Sequence, residues 1–215
     1  MSEESTAVDA RTFRYIAERT TAEDPFLADL KQAALADGLP SIWIAPEQIA
    51  FMQVLLRAAG ARTVVEVGTL AGVSAIGMAR ALPPGGRVQT IELEPRHADF
   101  AERWIARSNV ADRIELLRGA GADVLARLPS GAYDAAFVDA DKPGYPLYLR
   151  ECLRLVRSGG LILVDNALAF GRLFADDPDE SVKAVRSFND IMAATPEVQS
   201  VIVPIGDGMW VGVRA

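Results

Sequence analysis

RTVVEVGTLAGVSAIGMA, residues 62–79, reads as strand, tight turn and helix. Thr63 to Val67 is a β-branched, apolar run with a carboxylate, Glu66, inside it. Gly68-Thr69-Leu70-Ala71-Gly72 turns the chain, and Val73, Ile76 and Met78 continue at helical spacing. Such a turn brings backbone N–H groups at a helix N-terminus up to a ligand, and glycine permits the closest approach. A dinucleotide fingerprint would place glycines where Gly68, Leu70 and Val73 stand, so two of the three fail. A phosphate-binding loop would need a Gly-Lys-Ser/Thr step, which is missing. What remains is Glu-x-Gly-x-x-x-Gly. An acid beside the glycine turn suits a positively charged ligand such as S-adenosylmethionine, with its ammonium and sulfonium; the alternative is an ordinary strand-to-helix turn with no ligand.

The 215 residues suffice for one domain with a large core. We read residues 1–215 as that single domain, with 1–45 as an N-terminal helical extension within it. A net charge of −7 argues against a general nucleic-acid binder. The lone cysteine, Cys152, excludes an internal disulfide and fits a reducing cytoplasm. Its setting, YLRECLRLV, points it at the core rather than at chemistry. No leader-like apolar segment and no apolar run of about 18 residues is present, so neither secretion nor membrane spanning is expected. Lysine is scarce: Lys31, Lys142 and Lys183 are the only ones.

Met1 to Thr6 is polar and expected to fray. Helices are predicted over 10–19, 25–36 and 47–59, the last two opened by Pro25 and Pro46. Beyond the central unit, strands are predicted over 87–92, 113–117, 133–139 and 161–165, with helices over 95–107, 123–128, 145–156 and 181–194. Residues 172–180 form a polar, acidic loop. Two final strands, 198–204 and 209–214, flank Ile205-Gly206-Asp207-Gly208, a hairpin signal. The alternation predicts an α/β, Rossmann-like, doubly wound fold: a seven-stranded, mostly parallel sheet with helices on both faces, and one antiparallel strand from the C-terminal hairpin.

Ligands of open α/β sheets bind outside the carboxyl ends of the strands. Here those ends carry Glu66, Glu92, Asp139 and Asp165-Asn166. Glu92 lies 24 residues after Gly68, where an acid can accept hydrogen bonds from both ribose hydroxyls of a nucleoside; otherwise it is a solvated strand-end acid. Gly119-Ala120-Gly121 is either a plain turn or the edge of an adenine site. Asp139, Asp165 and Asn166 offer three hard oxygens, too few to cage a metal alone but suited to Mg2+, which takes about six and shares them with water and substrate. The other reading of Asp165-Asn166 is a capping pair. Zinc is not expected, because no Cys/His cluster exists. His97, the only histidine, sits in a polar helix start and reads as solvated rather than ligating. Lys142 follows Asp139 by three residues and is either a proton carrier near a metal or a surface lysine.

Taken together in order, EVGTLAGVSA, TIELEP, FVDADK, LVDNAL and PIGDGMWVG resemble the motifs of the cation-dependent class I O-methyltransferases, the caffeoyl-CoA and catechol O-methyltransferase type with its small bacterial members. The resemblance runs from about Pro46 to the C-terminus. It implies that Glu66, Gly68, Thr69 and Ser74 hold the methionine half of S-adenosylmethionine, that Glu92 binds its ribose and Gly121 its adenine, and that Ile44 and Asp139 also face the cofactor. It implies Asp139, Asp165 and Asn166 as ligands of Mg2+ or another divalent cation such as Mn2+ or Ca2+, and Lys142, with Asp139, as catalytic. It further implies a small aromatic diol as acceptor and a homodimer. Val73, Ile42, Ile44 and Ala169-Phe170 depart from the family pattern, and the last pair touches the acceptor pocket. Two other functions are weighed beside methyl transfer: a non-catalytic S-adenosylmethionine sensor or scaffold, which would not need the Asp139/Lys142/Asp165/Asn166 set, and a nucleotide-linked oxidoreductase, which the glycine spacing disfavours.

Overall fold

The computed structural model describes residues 9–20 and 22–215; the stretch expected to fray lies outside them. Three helices precede the sheet. The first, α1 (Ala10–Ala17), is capped by Asp9, whose carboxylate accepts the Thr12 N–H at 2.7 Å. Two proline-initiated helices follow, α2 (Pro25–Ala36) and α3 (Pro46–Ala58). Strands and helices then alternate: β1 (Thr63–Val67), α4 (Val73–Ala81), β2 (Arg87–Glu92), α5 (Pro95–Arg107), β3 (Ile114–Arg118), α6 (Gly121–Leu125), β4 (Tyr133–Val138), α7 (Tyr145–Leu155), β5 (Val156–Val164) and α8 (Glu180–Ala194). The hairpin of β6 (Val198–Val203) and β7 (Met209–Arg214) closes the chain.

The seven strands form one sheet in the order β3-β2-β1-β4-β5-β7-β6. The first five pair in parallel. Strand β7 is antiparallel to both neighbours, so β6 runs with the other five and β7 alone opposes them. This is the predicted seven-stranded, mostly parallel sheet with one antiparallel strand. Side chains alternate across the pleat: Val64, Ala135 and Leu163 pack with α2 to α5, while Val65, Ala136 and Val164 pack with α6 to α8. Both faces are therefore covered, as a parallel sheet requires. Cys152 is fully buried in the second layer, where burial pushes its thiol up to about 12 and leaves it inert.

Strand β5 departs from the prediction by starting at Val156 rather than 161. Its register against β4 jumps from Tyr133–Val156 to Ala135–Leu161, so the Gly159-Gly160 turn signal sits inside a bulged strand. A Cβ on Gly160 would lie 2.7 Å from the Asp134 carbonyl oxygen, so only glycine permits that approach. Helix α6 starts at Gly121 and ends at Leu125, earlier than predicted at both ends. The 172–180 loop is largely exposed, as expected, and carries an Arg172–Asp179 ion pair at 2.7 Å. Among the described residues, no helix is long and apolar enough to cross a membrane.

Candidate active site at the carboxyl ends of the strands

The sheet order reverses between β1 and β4, and a crevice opens outside the ends of these strands. A cavity of about 590 Å³ fills it, within the range of small-molecule sites. Gly68 leaves β1 directly beside Asp139, the residue that follows β4. The Asp139 N–H donates to the Val67 carbonyl at 3.0 Å. At Gly68 φ is +100°, and a Cβ there would stand 1.9 Å from the Asp139 carbonyl oxygen. No other residue fits this crossing.

One end of the cavity is built on the glycine turn. Thr69 and Ser74 line it, and Glu66 stands behind them, fully buried. Glu66 Oε2 accepts from the Thr90 hydroxyl at 2.6 Å, and that hydroxyl lies 2.6 Å from Thr69 Oγ1. Its Oε1 has no partner. Burial pushes this carboxyl up to about 8, against the pull of the Ser74 and Thr90 hydroxyls. An orphaned buried acceptor is costly and calls for a donor or a cation. Glu92 lines the cavity next to this turn, and its two oxygens accept the Leu70 N–H at 2.7 Å and the Glu94 N–H at 2.8 Å. That leaves the second lone pair of each oxygen for a diol. Gly121 opens α6 against the Tyr148 ring and Val67, where a Cβ would come within 2.9 Å of each. Ile44 is buried and also lines the cavity.

The other end gathers the remaining polar residues. Lys142 is buried, and its ammonium donates to Tyr145 Oη at 2.7 Å, to Asp139 Oδ1 at 3.3 Å and to Asn166 Oδ1. Asp165 does not line the cavity; it stands behind, accepting from Gln48 Nε2 at 2.6 Å. Burial raises both carboxyls, Asp165 to about 7 with the charge of Asp139 next in effect. Desolvation likewise holds the Tyr145 hydroxyl well above its usual value. One carboxylate, one carboxamide oxygen and one phenol oxygen thus surround one cationic atom, the Lys142 ammonium. Among the described residues no three His, Cys, Asp or Glu side chains group as a self-sufficient metal site. The donors are all hard oxygens, which fits a cation such as Mg2+ that completes its shell with water and substrate.

Of the residues singled out from sequence, Ile44, Gly68, Thr69, Ser74, Glu92, Gly121, Asp139, Lys142 and Asn166 all reach the cavity, and Glu66 and Asp165 brace it from behind. His97, expected to be solvated rather than ligating, is partly exposed at the cavity wall, with Nδ1 3.7 Å from Glu92 Oε1, because Pro95 starts α5 immediately above that acid. Three contributors escaped the sequence reading: Gln48, Tyr145 and Asp207. Asp141 faces the cavity as well, but its carboxylate is taken by the Tyr148 hydroxyl at 2.6 Å and the Gly144 N–H at 3.0 Å.

Residues 17–215 match the family model described as O-methyltransferase. A protein of Niastella koreensis named catechol O-methyltransferase is 36% identical over 193 residues, covering 88% of this chain and 87% of its own. One of the same name from Mycobacterium tuberculosis is 37% identical over 191 residues, again 88% and 87%. Among solved structures, the O-methyltransferase of Bacillus cereus in complex with SAH superposes with a TM-score of 0.86 at 33% identity, covering 95% of this chain and 97% of its own.

Proposed function

This chain belongs to the O-methyltransferase family, and from that premise we propose that it transfers the methyl group of S-adenosylmethionine to one hydroxyl of a catechol-like vicinal diol, with a divalent cation at the acceptor end. The observation that carries the reading is the Lys142 ammonium set between Asp139 and Asn166, at the far end of a cavity whose near end is the Glu66 and Glu92 turn. A sensor that only held the cofactor would need the near end alone.

In this reading Glu92 accepts the ribose hydroxyls, Gly121 passes its backbone along the adenine, and Ile44 covers the cofactor. Glu66, Gly68, Thr69 and Ser74 hold the methionine half, whose positive charge answers the orphaned Glu66 oxygen. Asp139, Asp165 and Asn166 would hold the cation, which when bound would lower the pKa of a coordinated hydroxyl. Gln48 keeps the Asp165 carboxylate turned toward this end. In its neutral amine form Lys142 takes the departing hydroxyl proton, and the ammonium so formed is held by Asp139 and Asn166. Attack of the oxygen on the sulfonium methyl neutralises charge, so the protein contributes chiefly alignment and exclusion of water. Apolar Ile42, Leu93 and Phe170, exposed at the cavity wall in the single chain, supply the surface that would exclude water once the ligands are bound. A homodimer remains part of the reading, supported by α1, which buries none of its residues in the single chain.

The test is acceptor selectivity. With S-adenosylmethionine and Mg2+, catechols are expected to yield methylated product, whereas monophenols and 1,3-diols of equal size are not. Equal turnover of a monophenol would remove the diol from the reading.

A further inference from the structure

The turn between β6 and β7, Ile205-Gly206-Asp207-Gly208, lies against the cation end and touches three parts of it. Gly206 presses on Gln48: a Cβ at its φ of +56° would stand 2.2 Å from Gln48 Cδ. Gln48 is the donor to Asp165. Gly208 packs on Leu168, where a Cβ would lie 2.5 Å from Cγ, and its carbonyl accepts the Ala167 N–H at 2.9 Å. Asp207 lies between them. Its carbonyl accepts the Leu168 N–H at 2.9 Å, and its Oδ2 accepts both from Asn166 Nδ2 at 3.1 Å and from the Phe170 N–H at 2.8 Å.

The two bonds on that one oxygen do different work. An asparagine carboxamide has two ends of nearly one shape and opposite chemistry. A carboxylate only accepts, so Asp207 selects Nδ2 as the end that faces it and leaves Oδ1 for the Lys142 cluster. With the amide turned over, acceptor would meet acceptor at Asp207 and Nδ2 would meet an ammonium. The second bond holds Phe170 in a loop whose backbone is left-handed at Asn166, Ala169 and Phe170, with φ of 66°, 53° and 58°. Such conformations persist only where the surroundings enforce them. The Phe170 ring lines the cavity, 5.9 Å from Lys142 Nζ.

We propose that Asp207 is a positioning residue for the transfer: one carboxylate oxygen turns the Asn166 carboxamide oxygen toward the cation end and sets the Phe170 wall of the acceptor end. This rests on the reading of those two ends given above. The test compares Asp207→Ala and Asp207→Asn in the full chain, with three readouts: Mn2+ titrated alone and followed by electron paramagnetic resonance, SAH affinity by calorimetry, and kcat and KM for catechol. Asp207→Ala is expected to weaken Mn2+ binding by about 10- to 100-fold and to raise the acceptor KM, leaving SAH affinity unchanged. Asp207→Asn keeps an oxygen for the Phe170 N–H and so recovers most of both losses. Asp207→Ser carries the same expectation as the alanine variant should the latter fail to hold SAH. Alanine values equal to wild type overturn the proposal, as do asparagine values no better than alanine, which would leave only a charge effect. A wild-type protein that turns over catechol without binding Mn2+ removes the cation reading, and Asp207 is then judged on KM and its recovery. A wild type with neither property overturns the reading beneath this inference, and the inference with it.

Discussion

Glu66 gives direct access to the cofactor end. Its carboxyl is fully buried, and burial raises it to about 8, so at pH 7 it carries a proton in about 0.9 of molecules. A cation brought against the orphaned oxygen favours the ionised form, and binding must expel that proton. Calorimetric titration of SAH at one pH, in buffers of different ionisation enthalpy, reads the number released as a slope. The expected release is about 0.9 proton at pH 7, falling to about 0.1 at pH 9. Glu66→Gln keeps the shape without the titrating group, so it abolishes this release. The free protein should carry the matching signature. The folded state retains a proton that the unfolded chain loses near 4.5, so stability falls as pH rises from about 4.5 to about 8. At about 1.4 kcal/mol per pH unit the whole decline is at most roughly 5 kcal/mol, and Glu66→Gln should flatten it. Equal proton release by wild type and variant would refute the placing of positive charge beside Glu66.

Gly68→Ala meets backbone rather than a movable side chain, at 1.9 Å from the Asp139 oxygen and with φ at +100°; urea unfolding should show a loss of about 2–5 kcal/mol, with SAH binding lost as well. Lys142→Met retains the buried stem and removes the ammonium, and kcat should fall by about 10²–10⁴ while calorimetry finds SAH affinity unchanged. Asp134 braces the opposite edge of the sheet, accepting from the Arg62 and Thr63 N–H groups at 2.8 and 2.9 Å and from Arg157 at 2.7 Å. Burial opposes its ionisation, but Arg157 and these N–H groups outweigh it and draw the carboxyl down to about 2. Its contribution, at most about 2.5 kcal/mol and reduced by solvent screening of the exposed Arg157, is present above pH 4 and lost as pH falls toward 2. Asp134→Asn should therefore lower the urea midpoint at pH 7 and leave it nearly unchanged at pH 2.

The strands were legible because a sheet covered on both faces demands apolar runs, and VVEV, AAFV and LILV supply them between unmistakable turns. The strand-end acids were legible for the same reason: a charged residue closing such a run can stand only at the sheet edge. What sequence did not carry is the meeting of distant segments. Gln48 and Asp165 are 117 positions apart, and Asn166 and Asp207 are 41 apart. No local pattern states that a helix start and a hairpin turn will both brace one pair of residues. Tyr145 shares this blindness in a milder form. It follows Lys142 by three residues, but helical spacing alone makes it a core aromatic. His97 is partly exposed, as its polar sequence neighbours suggest, but its place beside Glu92 follows only from the Pro95 helix start. The bulge in β5 hid for a converse reason, since a double glycine reads as the end of a strand unless the partner strand is known.

In the proposed reading the acceptor end works through a divalent cation held by Asp139, Asp165 and Asn166. The most direct measurement follows methylated catechol and SAH from one preparation in three states: as purified with Mg2+, after chelation, and after Mg2+ is restored. Product is expected in the first state, loss in the second and recovery in the third, with SAH binding intact throughout. Product formation that continues undiminished under chelation would contradict it.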